Sequence, residues 1–315
     1  MRTSTSMRLA ALVFAVGTVA TLTGCSSDAS AGSDASAGGS GPLNTVTGIK
    51  GTITKDSAIA AKVPSAYRDG LTVGTDATMA PKEFLDADGK TFKGLDIDLT
   101  YAIGNVLGVR MTFVNAGFDT LLPGVQNGRY DFVASSAAPT LEREKVVDFV
   151  SVDRSGESLL VRSADKSSLK DITSLCGKQA GAIKGSLQVE DLAEQSTKCT
   201  DDGKQPIDTS LFPDAAAVNL ALNSSRVDVA FFDTPTSAYQ AKRSGGKLVV
   251  VGPIYRAGLE GVFMKQGSGL AEPVAAAVNE LIENGTYQQL LEKWGLGKSA
   301  IDKAYVNPAT NGKAE

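Results

Sequence analysis

The sequence predicts an α/β protein built of two successive units, each with a largely parallel sheet, and three observations carry that expectation. Short β-branched runs alternate with amphipathic stretches from residue 71 onward, the alternation comes in two series, and a closing pair of helices follows the second series. Parallel neighbours need a crossover connection, which is usually a helix, so the alternation implies parallel sheets.

In the first series residues 71–75 read as a strand. Residues 97–107 read as a helix, because Leu99, Ala102, Ile103, Val106 and Leu107 recur on one face and Gly108 stops it. A strand at 109–115, a helix at 119–126 ended by Gly128, a strand at 130–135 and a helix at 141–147 follow. After a short apolar run at 158–161, the second series places strands at 179–183, 207–211, 227–232 and 248–251. Helices at 187–195, 214–222 and 236–244 lie between them. The tail returns to helices at 270–283 and 287–294, whose apolar faces need a surface to cover. If they pack on the first unit, the chain crosses between units twice, through candidate hinge strands at 157–162 and 261–265. Open parallel sheets bind ligands at the carboxyl ends of their strands. Two of them joined by two strands enclose a cleft that can hinge shut.

The first residues carry an address. Arg2 and Arg8 precede an apolar run at 9–20, a pattern that reads as a secretory signal covering residues 1–24 and is too short to span a membrane. Leu22-Thr23-Gly24-Cys25 resembles the bacterial lipobox, which implies a diacylglycerol on the Cys25 thiol and an outer-face membrane anchor. Residues 25–63 are then expected to be a flexible, lipid-anchored linker. Its start is almost wholly Ser, Asp, Ala and Gly, with residues 28–32 echoed at 34–38, and such a segment cannot build a core. Whether residues 45–61 dock is left open by their mild patterning.

Composition excludes several function classes. With 42% hydrophobic and 21% charged residues, a net charge of -4 and no dense Lys/Arg block, nothing indicates a nucleic-acid partner. His is absent, which removes the usual imidazole base and the commonest metal ligand. No metal and no cofactor are expected. Of three Cys, one is assigned to lipid, and Cys176 with Cys199 would close a disulfide worth about 3 kcal/mol in an exported protein. The alternative is two buried thiols, and there is no CxxC to suggest redox chemistry.

Three charged residues stand just past strands: Asp76, Arg143 and Asp233. Two carboxylates and a guanidinium match a zwitterion. Arg grips a carboxylate with a planar, two-pronged donor, and a desolvated Asp accepts an ammonium. Ser135 and Ser136 bring hydroxyls nearby. By spacing alone, turn caps and a surface salt bridge account for the same residues equally well.

The order of longer strings decides between these readings. Gly94-Leu-Asp-Ile-Asp-Leu99, the run from Phe118 to Asp131, Thr140-Leu-Glu-Arg143, Val147-Asp-Phe149, Asp233-Thr-Pro235, Gly285-Thr-Tyr287 and Lys293-Trp-Gly295 follow one another. Over residues 63–307 the chain resembles the family 3 solute-binding proteins of amino-acid ABC importers, and its Leu175-Cys-Gly-Lys178 segment, followed by Cys199, resembles the actinobacterial branch. The resemblance implies the two-lobed periplasmic-binding-protein fold, a venom flytrap with two parallel or mixed sheets joined by two hinge strands. Lobe 1 would span 64–158 and 264–307, lobe 2 would span 159–263, and 308–315 would be a tail. It further implies a monomer that captures an amino acid and delivers it to a permease without catalysis.

Carried over by position, Arg143 takes the ligand carboxylate, Asp233 the ammonium, and Asp76 stands near the ammonium or side chain. Phe118 is an apolar wall, Ser136 a backbone or hydroxyl contact, and Gly185-Ser186-Leu187 the second lobe's share of the carboxylate site. Met79, Ala138 and Leu187 depart from the aromatic and hydroxyl residues common there, which makes the pocket greasier and more adaptable. Phe232 is expected in the core, Asp96 and Asp98 as helix caps, and Trp294 as an anchor for the last helix. Two rivals remain: an exported prephenate-type dehydratase using Asp76 or Glu157 as acid, and the receptor module of a sensor.

Overall fold

The computed structural model describes residues 43–313. The signal, Cys25 and most of the expected linker lie outside the described residues. In chain order the elements are α1 (Ser57–Ala60), β1 (Leu71–Thr75), β2 (Thr78–Met79), β3 (Glu83–Leu85), β4 (Phe92–Lys93), α2 (Leu95–Leu107), β5 (Met111–Asn115) and α3 (Phe118–Gln126). Then come β6 (Phe132–Ala137), α4 (Leu141–Glu144), β7 (Val147–Arg162), β8 (Gln179–Ile183), α5 (Leu187–Asp201), β9 (Asp208–Phe212), α6 (Ala215–Asn223) and β10 (Val229–Asp233). The last are α7 (Thr234–Arg243), β11 (Leu248–Lys265), α8 (Ala271–Glu283) and α9 (Thr286–Lys293).

The α/β architecture is two-lobed. In lobe 1, β5, β1 and β6 run parallel, and in lobe 2, β10, β8 and β9 do the same. The expectation of two separate sheets is refined, because β7 and β11 are long enough to enter both lobes. They pair antiparallel with each other, β11 also pairs β6, and β7 pairs β10. One hydrogen-bonded order therefore runs through the molecule: β5-β1-β6-β11-β7-β10-β8-β9. Helices cover both faces of each half. In lobe 1, α2, α8 and α9 share one buried cluster and α3 another; in lobe 2, α6 covers one face and α5 the other. Cys176 and Cys199 are joined by a disulfide, with Cα atoms 5.6 Å apart, that pins α5 to the segment before β8.

Two departures from the sequence reading have clear causes. The stretch 141–147 expected as a helix is one turn, because Val147 is already paired with Lys265 in the sheet. The chain is also not a free linker up to residue 63. Asn44 packs onto lobe 1, its side-chain amide donating to Asn105 Oδ1 and Val109 O at 3.2 and 2.9 Å and accepting from Met111 N at 2.8 Å. An amide docking on backbone leaves no hydrophobic period in the sequence. Asp56 caps α1, and Val63 is buried against α2 and α8.

Lobe 1 is tied to the connecting strands by a buried ion cluster. Lys82, just before β3 and fully buried, donates to Asp153 on β7 at 2.7 Å and Glu260 on β11 at 2.6 Å, and Asp96 on α2 lies 3.6 Å away. Asp153 and Glu260 face each other in register. Burial pushes their pKa values up, Glu260 to about 8, against the pull of the lysine. Asp96, expected as a helix cap, also accepts from Ser136 N at 3.0 Å. Asp98 is more than a cap too, accepting from Lys293 Nζ and Trp294 Nε1 at 2.6 and 2.7 Å and so fastening α9, as expected of Trp294. Removing one partner of a buried pair leaves uncompensated charge. Lys82→Met should therefore lose about 3–5 kcal/mol of stability in urea denaturation at pH 7. An unchanged midpoint would show that the cluster contributes nothing to folding.

Candidate functional site

The two lobes meet around a narrow cleft with a cavity volume of about 40 Å³. Its lining includes Met79, Phe118, Ser136, Ala138 and Arg143 from lobe 1, and Ser186, Leu187 and Asp233 from lobe 2. The cleft is closed. Lys184 pairs with Asp119 at 2.8 Å, Ala215 N donates to Thr78 Oγ1 at 3.1 Å, and Met79 packs among Ile183, Phe212 and Phe232.

Arg143 projects from the single turn α4, whose first backbone N–H groups are held by Thr140; Thr140 Oγ1 accepts from Arg143 N at 3.2 Å. The guanidinium donates only to carbonyls, Ala138 O at 2.9 Å and Gly185 O across the cleft at 3.4 Å, and lies 5.8 Å from the Phe118 ring centre. Among the described residues it has no carboxylate partner, and burial draws its pKa down.

Asp233 ends β10 and caps α7, where Oδ2 accepts from Thr236 N at 3.3 Å. Its Oδ1 is buried without a partner, and desolvation pushes the group up to about 6. Asp76, past β1, stands outside the lining set. Its Oδ1 accepts from Thr78 Oγ1 at 2.8 Å while Oδ2 has no partner, and burial lifts it also to about 6. Ser135 is fully buried outside the lining, accepting from Asp76 N and donating to Glu83 Oε1 at 3.0 and 3.1 Å. Ser136 sits at φ 41°, a left-handed conformation costly for a serine, and its hydroxyl is committed to Glu83 Oε2 at 3.1 Å. Gly185, at φ 81°, lines the neighbouring edge of the cleft beside Asp119. A side chain there would press on Asp119 at 3.1 Å. Phe232 is both core, as expected, and cleft wall.

The sequence reading missed part of the site. Gln188 lines the cleft from α5 and Glu260 from β11, and Glu157, named from the sequence only as the acid of the rival dehydratase, lines it from β7. Glu83 is buried next to the two serines, and burial together with Asp96 pushes it well above the usual carboxylate range. The available signal was the register: Glu157 lies directly opposite Asp233 across β7 and β10. That pairing follows only once β7 is known to be antiparallel to β10.

The sequence profile of the bacterial extracellular solute-binding proteins, family 3, matches residues 71–297. The arginine-binding protein ArgT of Corynebacterium glutamicum is 32% identical over 252 residues, covering 79% of this chain and 82% of that protein. An ancestral arginine-binding protein bound to arginine superposes with a TM-score of 0.67 at 31% identity, over 73% of this chain and 99% of that one. An ancestral amino acid-binding protein described as a precursor of cyclohexadienyl dehydratase gives 0.66 at 29% identity, over 76% and 99%.

Proposed function

The chain belongs to the bacterial extracellular solute-binding proteins, family 3, and from that premise we propose that its cleft holds a free α-amino acid by both poles. Arg143 takes the carboxylate and Asp233 the ammonium, Met79, Phe118 and Leu187 wall the side chain, and the closed protein hands the ligand unchanged to an ABC importer.

One observation carries the reading. Opposite lobes present to the same closed cleft a guanidinium bonded only to carbonyl oxygens and a buried carboxylate oxygen without a partner. A buried polar group without a partner costs free energy, and a charge-assisted pair recovers it. A zwitterion satisfies both at once, so it favours the closed form over the open one by binding both lobes. The relatives named for arginine support an amino acid over other solutes, and for the dehydratase rival no observation supplies a substrate.

The protein acts as a monomer and is held at the outer face of the membrane by a lipid on Cys25; the leader pattern of residues 1–24 supports the anchor. Cys25→Ser should move the protein from the membrane fraction to the soluble extracytoplasmic fraction, and continued membrane retention would overturn the anchor.

Truncating one partner of a buried charged contact costs about 2–5 kcal/mol, which is roughly thirtyfold or more in affinity. Arg143→Ala and Asp233→Ala should each weaken amino-acid binding by at least that factor in calorimetric titration, with melting curves confirming a folded protein. Unchanged affinity in both variants would reject the clamp.

A further inference from the structure

Glu157 is left over when the two poles of a zwitterion have been assigned to Arg143 and Asp233. It stands on β7 directly opposite Asp233 on β10, and cross-strand neighbours project their side chains to the same face about 5 Å apart. Both line the cleft. Glu157 is 7% exposed, and its Oε2 is buried with no hydrogen-bond partner.

The surrounding groups explain why no protein cation serves it. On β11, Tyr255 lies opposite in register, but its hydroxyl is taken up by Ile172 N at 2.9 Å. Arg256 on the same strand donates to Asp191 of α5 at 2.7 and 2.5 Å, with Glu190 3.7 Å away. Arg143 of α4 donates to carbonyls, and Glu260 of β11 is bound to Lys82. The pocket around Glu157 therefore holds more carboxyl groups than free cations.

Resting on the amino-acid reading above, we propose that Glu157 reads the ligand side chain. Its carboxylate receives a guanidinium or ammonium at the far end of a cationic amino acid, and the protein releases one proton as the ligand binds. The step balances simply: the carboxylic O–H bond of Glu157 breaks, the proton passes to solvent, and the incoming cation replaces it as the partner of Oε2.

The proton is available because burial, reinforced by Asp191, pushes Glu157 up to about 9. At neutral pH the unliganded carboxyl is thus protonated, and a cationic ligand selects its ionised minority. Apparent affinity scales with the competent fraction, which grows about tenfold per pH unit below the pKa. Binding of a cationic ligand therefore tightens as pH rises, whereas a neutral ligand leaves Glu157 protonated and shows no such trend. Asp233 and Asp76, both lifted to about 6, are largely ionised above pH 7, and Glu260, lifted to about 8, stays bound to Lys82 with either ligand and so does not separate a cationic ligand from a neutral one.

The test is calorimetric titration of the purified wild-type protein at pH 7.0, 7.5 and 8.0 with L-arginine and with L-citrulline, its uncharged isostere. Each titration is repeated in buffers of different ionisation enthalpy, which counts protons released. The expected result is about one proton released per arginine, none per citrulline, and an arginine dissociation constant that falls severalfold across the range. Glu157→Gln should abolish the proton release and bring arginine and citrulline within a few fold of each other, and because the wild-type count stands alone, a variant that fails to fold leaves the proposal testable. Equal binding of arginine and citrulline without proton release, or proton release that persists in Glu157→Gln, would overturn the role of Glu157 while leaving the amino-acid clamp intact. Failure of a panel of amino acids to bind at all would instead remove the clamp on which it rests.

Discussion

The pairing of β7 with β11 is the constraint on which the rest of the molecule depends. Near Val147 and Lys265 the two strands belong to lobe 1, and near Arg162 and Leu248 they belong to lobe 2. Between those ends the register shifts three times, at Val251/Tyr255, Tyr255/Gly258 and Glu260/Gly261. Such irregularities bend a strand and strengthen its twist. Gly156 sits at this bend, where a Cβ would come within 2.7 Å of the Tyr255 carbonyl oxygen. The ladder is regular at its two ends and broken between Val251 and Gly261, which is what a hinge made of two connections requires.

The same ribbon delivers the chemistry. Glu157 and Glu260 lie on it, Asp233 is one strand away, and Lys82 reaches it from lobe 1. Within this small volume the protein keeps polar atoms of two kinds. Those of the Lys82 cluster are paired with a cation inside the protein and fix lobe 1 to the strands, although Asp96 Oδ1 and Asp153 Oδ1 accept no hydrogen bond. The outer oxygens of Asp233 and Glu157 and the guanidinium of Arg143 are left without charged partners and face the cleft. Unpaired buried groups lower stability, and a ligand in the cleft that supplies partners to Asp233 and Glu157 offsets that cost.

Much of this was legible in the sequence. Alternating β-branched runs and amphipathic stretches located the strands and helices of both lobes, and Gly108, at φ 69°, ends α2 as expected. Arg143 and Asp233 stood out because each follows a strand, and ordered strings then separated a cleft from a set of turn caps. The small sheet of β2, β3 and β4 escaped notice because strands of two or three residues have no measurable period. Lys82 and Glu83 escaped it for a different reason: adjacent charged residues read as surface, and only tertiary packing shows both to be buried. Glu157 was noticed as an acid without a partner. Its significance comes from the antiparallel register with Asp233, a long-range fact that no local pattern encodes.

Central to this account is a single small molecule whose opposite charges are gripped from opposite lobes. The most direct measurement is a crystal structure of the protein with the amino acid it binds most tightly. The account predicts the ligand carboxylate against the Arg143 guanidinium and the ammonium against the free oxygen of Asp233 in one closed cleft. A ligand held by both poles on the same lobe, or seated outside the cleft, would contradict it.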